Sequence, residues 1–200
     1  QFDTPASLAI DEIGQVYVGD YGNYRIQKFT AIGDYSAQWG ASGMDPGDLY
    51  LPRGIDFAPD NTAYVIDPLL QRIQRFTLES YSVDWIVGSA GNETGEFDQP
   101  FDIEFLADGT FYVSDGSNNR IQRFDQDGAF LDYFNVTSYT GSGTTSSSGI
   151  ALHPNGFIYV AANSEDRILV FDINGSLVDF WGGSGSADGE FDTPIDIEVG

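Results

Sequence analysis

The 200 residues contain no cysteine, one histidine and one lysine, and no long uninterrupted apolar run. Without cysteine there are no disulfides and no thiolate metal sites, and cysteine usage leaves the redox compartment open. The lone His153, beside Pro154 in an ordinary turn, cannot build a zinc site of several histidines, and a Ser–His nucleophile would need it oriented by a partner. No apolar stretch approaches the roughly 18 residues that span a bilayer, so direct membrane insertion is not expected. Bases are scarce: 8 against 31 acids, for a net charge of −23. Such a surface repels phosphate backbones and anionic membranes, which excludes nucleic acid as a partner, and it favours cations and basic proteins. Aspartates outnumber glutamates 23 to 8, which suits a salt-rich setting or calcium-rich extracellular fluid.

What is present is a folded composition, with 41% hydrophobic and 14% aromatic residues, arranged in an internal repeat. Tyr-Val recurs at Tyr17, Tyr64, Tyr112 and Tyr159, in steps of 47, 48 and 47 residues. Arg-Ile follows eight residues later each time, at Arg25, Arg72, Arg120 and Arg167, and an aromatic closes each run at Phe29, Phe76, Phe124 and Phe171. Phe-Asp-x-Pro leads into Pro5, Pro100 and Pro194, Leu-Tyr-Leu-Pro leads into Pro52, and Ser147 stands where the fourth repeat should have its proline.

Each repeat reads as four short strands. The first alternates apolar residues, such as Ile55 and Phe57 or Ile103 and Phe105. A turn with Gly14, Asn61, Gly109 or Gly156 follows, at residues that tolerate positive φ. The second strand carries Tyr-Val, the third Arg-Ile-x-x-Phe, and the fourth ends near Trp39, Trp85, Phe134 or Trp181. Four antiparallel strands recurring at this period predict an all-β fold, a β-propeller of four-stranded blades over about 5–51, 52–99, 100–146 and 147–193.

The pattern Pro-x-x-Ile-x-Ile-Asp, Val-Tyr-Val-x-Asp-x-x-Asn-x-Arg-Ile-Gln-x-Phe and Trp-Gly-x-x-Gly resembles the NHL repeat across essentially the whole chain. Asp20, Asn23 and Arg25 match it in the first repeat, and Asp115, Asn118 and Arg120 in the third. The second keeps Asp67 and Arg72 with Leu70 for the asparagine; the fourth keeps Arg167, with Ala162 and Glu165 replacing the others. The motif decays while the strands persist, so a shared catalytic role for every copy is not expected. The resemblance implies about six blades, within the usual range of four to eight. The chain has four repeats and a surplus first-type strand, 191–200, which duplicates 2–11. It is therefore expected to belong to a longer propeller or to be completed by another subunit through its open edges.

Three sets of residues are candidate sites. Seven of the eight bases lie in third strands, so the Asp-x-x-Asn-x-Arg residues are expected to brace their hairpin through guanidinium bonds to the aspartate or to carbonyls, the alternative being ligand contact on one propeller face. The first-strand acids Asp56, Asp102, Glu104, Asp196 and Glu198 should face the central channel. Related six-bladed lactonase and esterase propellers hold calcium there, so the resemblance implies calcium as the one cofactor these acids could hold. The ring of acids is incomplete, because Ser7, Ala9, Gly149 and Ala151 fill the other offsets, and a solvated acidic channel is the alternative. Amidating lyases of the NHL fold use histidine-rich zinc chemistry, which a single histidine does not supply. The turn Asp125–Gly128 begins like a calcium loop but lacks the later glutamate of an EF-hand.

Sequons at Asn92, Asn135 and Asn174 fall at predicted turns and strand ends, where glycans would stay in water. The segment from Thr137 to Gly149 replaces the usual connector with a hydroxyl-rich loop. These features point to a non-enzymatic extracellular or cell-surface glycoprotein module for protein interaction or assembly, in its sharper form the subunit of a surface filament. Secretion would require a leader removed ahead of Gln1. The alternatives are a calcium-dependent lactonase or esterase using the channel acids, and a sensor or scaffold domain of a larger protein.

Overall fold

The computed structural model describes residues 1–136 and 147–199, and no α-helix occurs among them. Most of the hydroxyl-rich loop lies outside the described residues. The first sheet holds Pro5–Ile10 (β1), Val16–Asp20 (β2), Arg25–Phe29 (β3) and Tyr35–Trp39 (β4). The second holds Gly54–Phe57 (β5), Ala63–Asp67 (β6), Arg72–Phe76 (β7) and Val83–Val87 (β8). The third holds Pro100–Phe105 (β9), Phe111–Asp115 (β10), Arg120–Phe124 (β11) and Phe130–Asn135 (β12). The fourth holds Ser147–His153 (β13), Phe157–Ala162 (β14), Arg167–Asp172 (β15) and Leu177–Gly182 (β16). Every sheet is an antiparallel meander in chain order. The first strands β1, β5, β9 and β13 stand side by side, each against the next, as the inner wall of a propeller.

The alternation along each second strand decides how the blades stack, because successive side chains point to opposite faces. Tyr17 packs forward against Val65 and Phe76 of the second blade, and Tyr64 packs forward against Phe111 and Val113 of the third. Tyr112 packs likewise against Ile158 and Val160 of the fourth. Three apolar layers therefore lie between blades, and both faces of an inner blade are buried. Trp85 departs from the repeat. The β7–β8 register sets Val87 opposite Ile73, where Trp39, Phe134 and Trp181 stand opposite Ile26, Ile121 and Ile168. Trp85 instead pairs with Arg75 and donates its indole N–H to the Asp127 carbonyl of the next blade, 2.8 Å away.

The surplus first-type strand is not formed. Residues 194–199 have no ladder, and their bond to the fourth blade is Gly149 N–H to the Ile195 carbonyl at 3.0 Å. No second strand follows to pair with this segment among the described residues, and a lone edge contact leaves most of its backbone groups to water.

Candidate functional site

At the tips of the blades the Asp-x-x-Asn-x-Arg spacing becomes a turn of 3-10 helix followed by one left-handed residue. The turns are Tyr21–Asn23 with Tyr24 at φ 59°, and Gly116–Asn118 with Asn119 at φ 54°. This geometry folds the second strand back so that aspartate and arginine face each other across it. In the third blade Asp115 accepts from Arg120 Nε at 2.7 Å, from Asn118 Nδ2, from Gln122 Nε2 at 3.0 Å and from the Asp98 N–H at 2.8 Å. The remaining Arg120 nitrogens reach the carbonyls of Asn92, Glu93 and Glu96, so one guanidinium ties the hairpin to the connector before it. Burial raises the Asp115 carboxyl above its ordinary value, an effect that the Asp98 N–H, Asn118 and Arg120 oppose.

The first blade repeats the arrangement, with Arg25 Nε 2.8 Å from Asp20 and Arg25 Nη2 on the Gln1 carbonyl. In the second blade Asp67 accepts from the Leu69 and Leu70 N–H groups instead of an asparagine side chain, and Arg72 grips the Met44, Asp45 and Asp48 carbonyls. In the fourth, where Ala162 replaces the aspartate, the Arg167 guanidinium lies over the Phe180 ring at 4.9 Å. Gln27, Gln74 and Gln122 belong to this network and went unassigned in the sequence. All three are buried, and each amide bonds the blade's aspartate or a connector carbonyl. Their recurrence two residues after Arg25, Arg72 and Arg120 is the signal in the sequence, which the fourth repeat lacks because Leu169 stands there.

Asp56, Asp102 and Glu104 of the first strands, with Asp196 and Glu198 of the unpaired segment 194–199, line one cavity of about 620 Å³ in the channel. Asp102 serves the scaffold as well, accepting from Ile103 N–H at 2.9 Å and from Ile150 N–H of the next blade at 2.8 Å. Desolvation pushes Asp56 and Asp102 up to about 7, with repulsion from Glu198 on the first and from Asp196 and Asp56 on the second. Glu104 is pushed up to about 9, by burial first and then by the charges of Asp56, Asp102, Glu198 and Asp196. The five acids therefore form one coupled electrostatic unit. Among the described residues no three acids converge closely enough to hold a metal ion.

The Asp125 carboxylate is engaged within its hairpin turn, accepting from the Asp127 and Ala129 N–H groups. His153 Nδ1 accepts from the Asn155 N–H at 3.1 Å, a turn contact remote from the channel acids in role. Asn92, Asn135 and Asn174 are all exposed, and Thr137 of the second sequon lies outside the described residues.

Residues 2–29, which contain β1 to β3 and the motif Asp20, Asn23 and Arg25, match the family model of the NHL repeat. The first blade is an NHL repeat. The same NHL geometry recurs in the third blade and, with substitutions, in the second and fourth. No curated protein matches the chain in sequence. Among solved structures, virginiamycin B lyase from Staphylococcus aureus superposes with a TM-score of 0.73 at 16% identity, covering 96% of this chain and 58% of that one. Hydrazine synthase from Kuenenia stuttgartiensis gives 0.69 at 13% identity, over 90% and 49% of the two chains. A protein from Bacteroides caccae gives 0.63 at 15% identity, over 88% and 60%. These likenesses are of fold, and the chain spans less than two thirds of each of these structures.

Proposed function

We propose that this NHL propeller is a binding and assembly module at the cell surface or outside the cell, joining head to tail with a second copy of itself. The supporting observation is the first blade's outer face. Leu8 is 63% exposed, while Ile55, Ile103 and Ile150 at the same offset are 7%, 1% and 0% exposed beneath the preceding blade. The fourth blade offers the matching surface. Its Tyr159 and Trp181 meet edge to face at 5.5 Å, as Tyr17 and Trp39 do at 5.9 Å where the first blade covers the second. Trp181 is 42% exposed and Trp39 only 7%. A fourth blade laid on a neighbour's first blade would repeat an interface the chain already makes between its own blades. The neighbour's β1 would exchange with residues 194–199, a segment held to β13 by the Gly149–Ile195 bond. The contact is heterologous, so an arc that does not close continues as a filament. The acidic surface and the exposed sequons Asn92, Asn135 and Asn174 fit such a setting.

Sedimentation velocity tests this reading. Wild-type chain should associate with rising concentration, and more strongly in salt, which screens the charge of −23. Leu8→Glu and Trp181→Glu should each be monomeric alone, yet form a one-to-one dimer when mixed, since each variant keeps the face the other lacks. A wild type that stays monomeric throughout, or variants that fail to complement, sinks it.

A second reading rests on the channel. Coupled carboxyls that titrate between about 7 and about 9 are suited to acid–base chemistry on a lactone or ester. Calcium has no part in this reading, because among the described residues no three of the channel acids converge on one point. Lactone hydrolysis that Glu104→Gln abolishes would favour it, and no turnover of lactone or ester substrates would dismiss it.

A further inference from the structure

Seven of the eight bases lie in third strands; the eighth, Arg53, lies just before β5. Arg25, Arg75, Arg120 and Arg123 pair with aspartates, and Arg72 holds three carbonyls. Among the described residues the Arg53 guanidinium has neither an ion pair nor a hydrogen bond. Its central carbon lies 3.9 Å from the centroid of the Phe101 ring, and the residue is half-buried. Stacking on an aromatic face fixes the plane of a guanidinium and leaves its N–H edge available.

Arg53 lines a cavity of about 160 Å³ beside the channel, together with Gln99, Phe101, Ser147, Ser148 and Asn163. Ser147 and Ser148 are each 1% exposed, and their hydroxyl oxygens have no partner. Two buried, unsatisfied hydroxyls are costly to maintain and mark a place where a ligand could complete the bonding. The residues come from three blades, and they are departures from the repeat. Ser147 replaces the proline of Pro5, Pro52 and Pro100, and Arg53 stands where the other blades have Ala6, Phe101 and Ser148. Side chains that break a repeat and meet at one cavity are those a scaffold would vary for a site.

We propose that this cavity binds a small organic monocarboxylate. Arg53 supplies the forked donor to the carboxylate, Ser147 and Ser148 donate their hydroxyls to it, and the apolar part of the ligand lies along Phe101. A monoanion fits better than a phosphate dianion. There is a single base, and Arg53 also borders the channel that holds Asp56 and Asp102, whose field opposes a second negative charge.

Amide chemical-shift titration at constant ionic strength tests the site, with propionate, propionamide and inorganic phosphate as probes. Propionate should saturate with a dissociation constant on the order of 1 mM. Propionamide should not bind, and phosphate should bind at least roughly tenfold more weakly. Arg53→Gln should lose at least about tenfold in propionate affinity, and Arg53→Lys, which keeps the charge without the fork, should also weaken. Ser147→Ala and Ser148→Ala should weaken propionate several-fold without lowering the melting temperature, because each removes an unsatisfied hydroxyl. Melting curves establish that every variant is folded. Propionate that shifts nothing up to roughly 100 mM, equal binding by Arg53→Gln, or phosphate binding as tightly as propionate each overturns the proposal.

Discussion

Arg120 Nε lies 2.7 Å from the Asp115 carboxylate, with the arginine side chain 6% exposed and the aspartate fully buried. Removing one partner of a buried ion pair leaves the other charge uncompensated, at a cost of about 3–5 kcal/mol. Arg120→Ala also releases three connector carbonyls. It should therefore lower stability by at least about 3 kcal/mol in urea unfolding. Arg25→Ala should cost less, because Arg25 is 23% exposed and water can replace part of what it gives Asp20. Equal effects, or none, would return the motif to the alternative of ligand contact.

Gly128 closes the hairpin between β11 and β12 at φ 77°, directly under the indole of Trp85 from the preceding blade. A Cβ there would lie 1.5 Å from a Trp85 ring carbon. Gly128→Ala thus meets both a left-handed backbone and a rigid ring, and should destabilise by at least about 2 kcal/mol. Gly156 has a similar φ of 83° and nothing within 4 Å of its Cβ position, so Gly156→Ala should cost only the backbone term, about 1 kcal/mol. Thermal melting of the two variants separates the steric part from the conformational part.

The channel acids set the pH response. Their folded values, about 7 for Asp56 and Asp102 and about 9 for Glu104, lie above the ordinary 3.8 and 4.5. In that window the folded state binds more protons than the unfolded state, so stability falls as pH rises. The contribution is fully present below about pH 4 and is lost progressively up to about pH 9. Melting followed between about pH 5 and pH 9 should fall with pH, and Glu104→Gln should flatten the upper part of the slope. A melting temperature that climbs over this range would contradict the coupling of the five acids.

The blade pattern was legible because it repeats: Tyr-Val and Arg-Ile at constant spacing fix the strand pairing, and alternation fixes which face each strand buries. Three things were not legible. The surplus strand expected over 191–200 has the composition of a strand, but a strand forms only where a ladder exists, and composition carries no record of the partner. Trp85 shares the chemistry of the other fourth-strand aromatics, but a two-residue difference in register sets it over Gly128. For the channel, first-strand position alone brought Asp56, Asp102 and Glu104 together. Arg53 could be counted in the sequence as the eighth base, but its stacking on Phe101 and its closeness to Ser147 and Ser148 depend on three blades meeting.

The repeat also furnishes an internal control on burial. Leu8 and Ile103 occupy the same offset of their first strands, one exposed and the other sealed beneath the second blade. Truncating a buried isoleucine removes its transfer free energy and leaves a cavity, about 2–5 kcal/mol in all. Ile103→Ala should therefore lose about 3 kcal/mol in urea unfolding, while Leu8→Ala on dilute monomer should stay within about 0.5 kcal/mol. At concentrations where the chain associates, Leu8 would lie under a neighbour's blade, and the cost of Leu8→Ala should grow toward that of Ile103→Ala. Measuring both variants across a dilution series makes stability report on assembly: a Leu8→Ala effect independent of concentration means that its face stays bare.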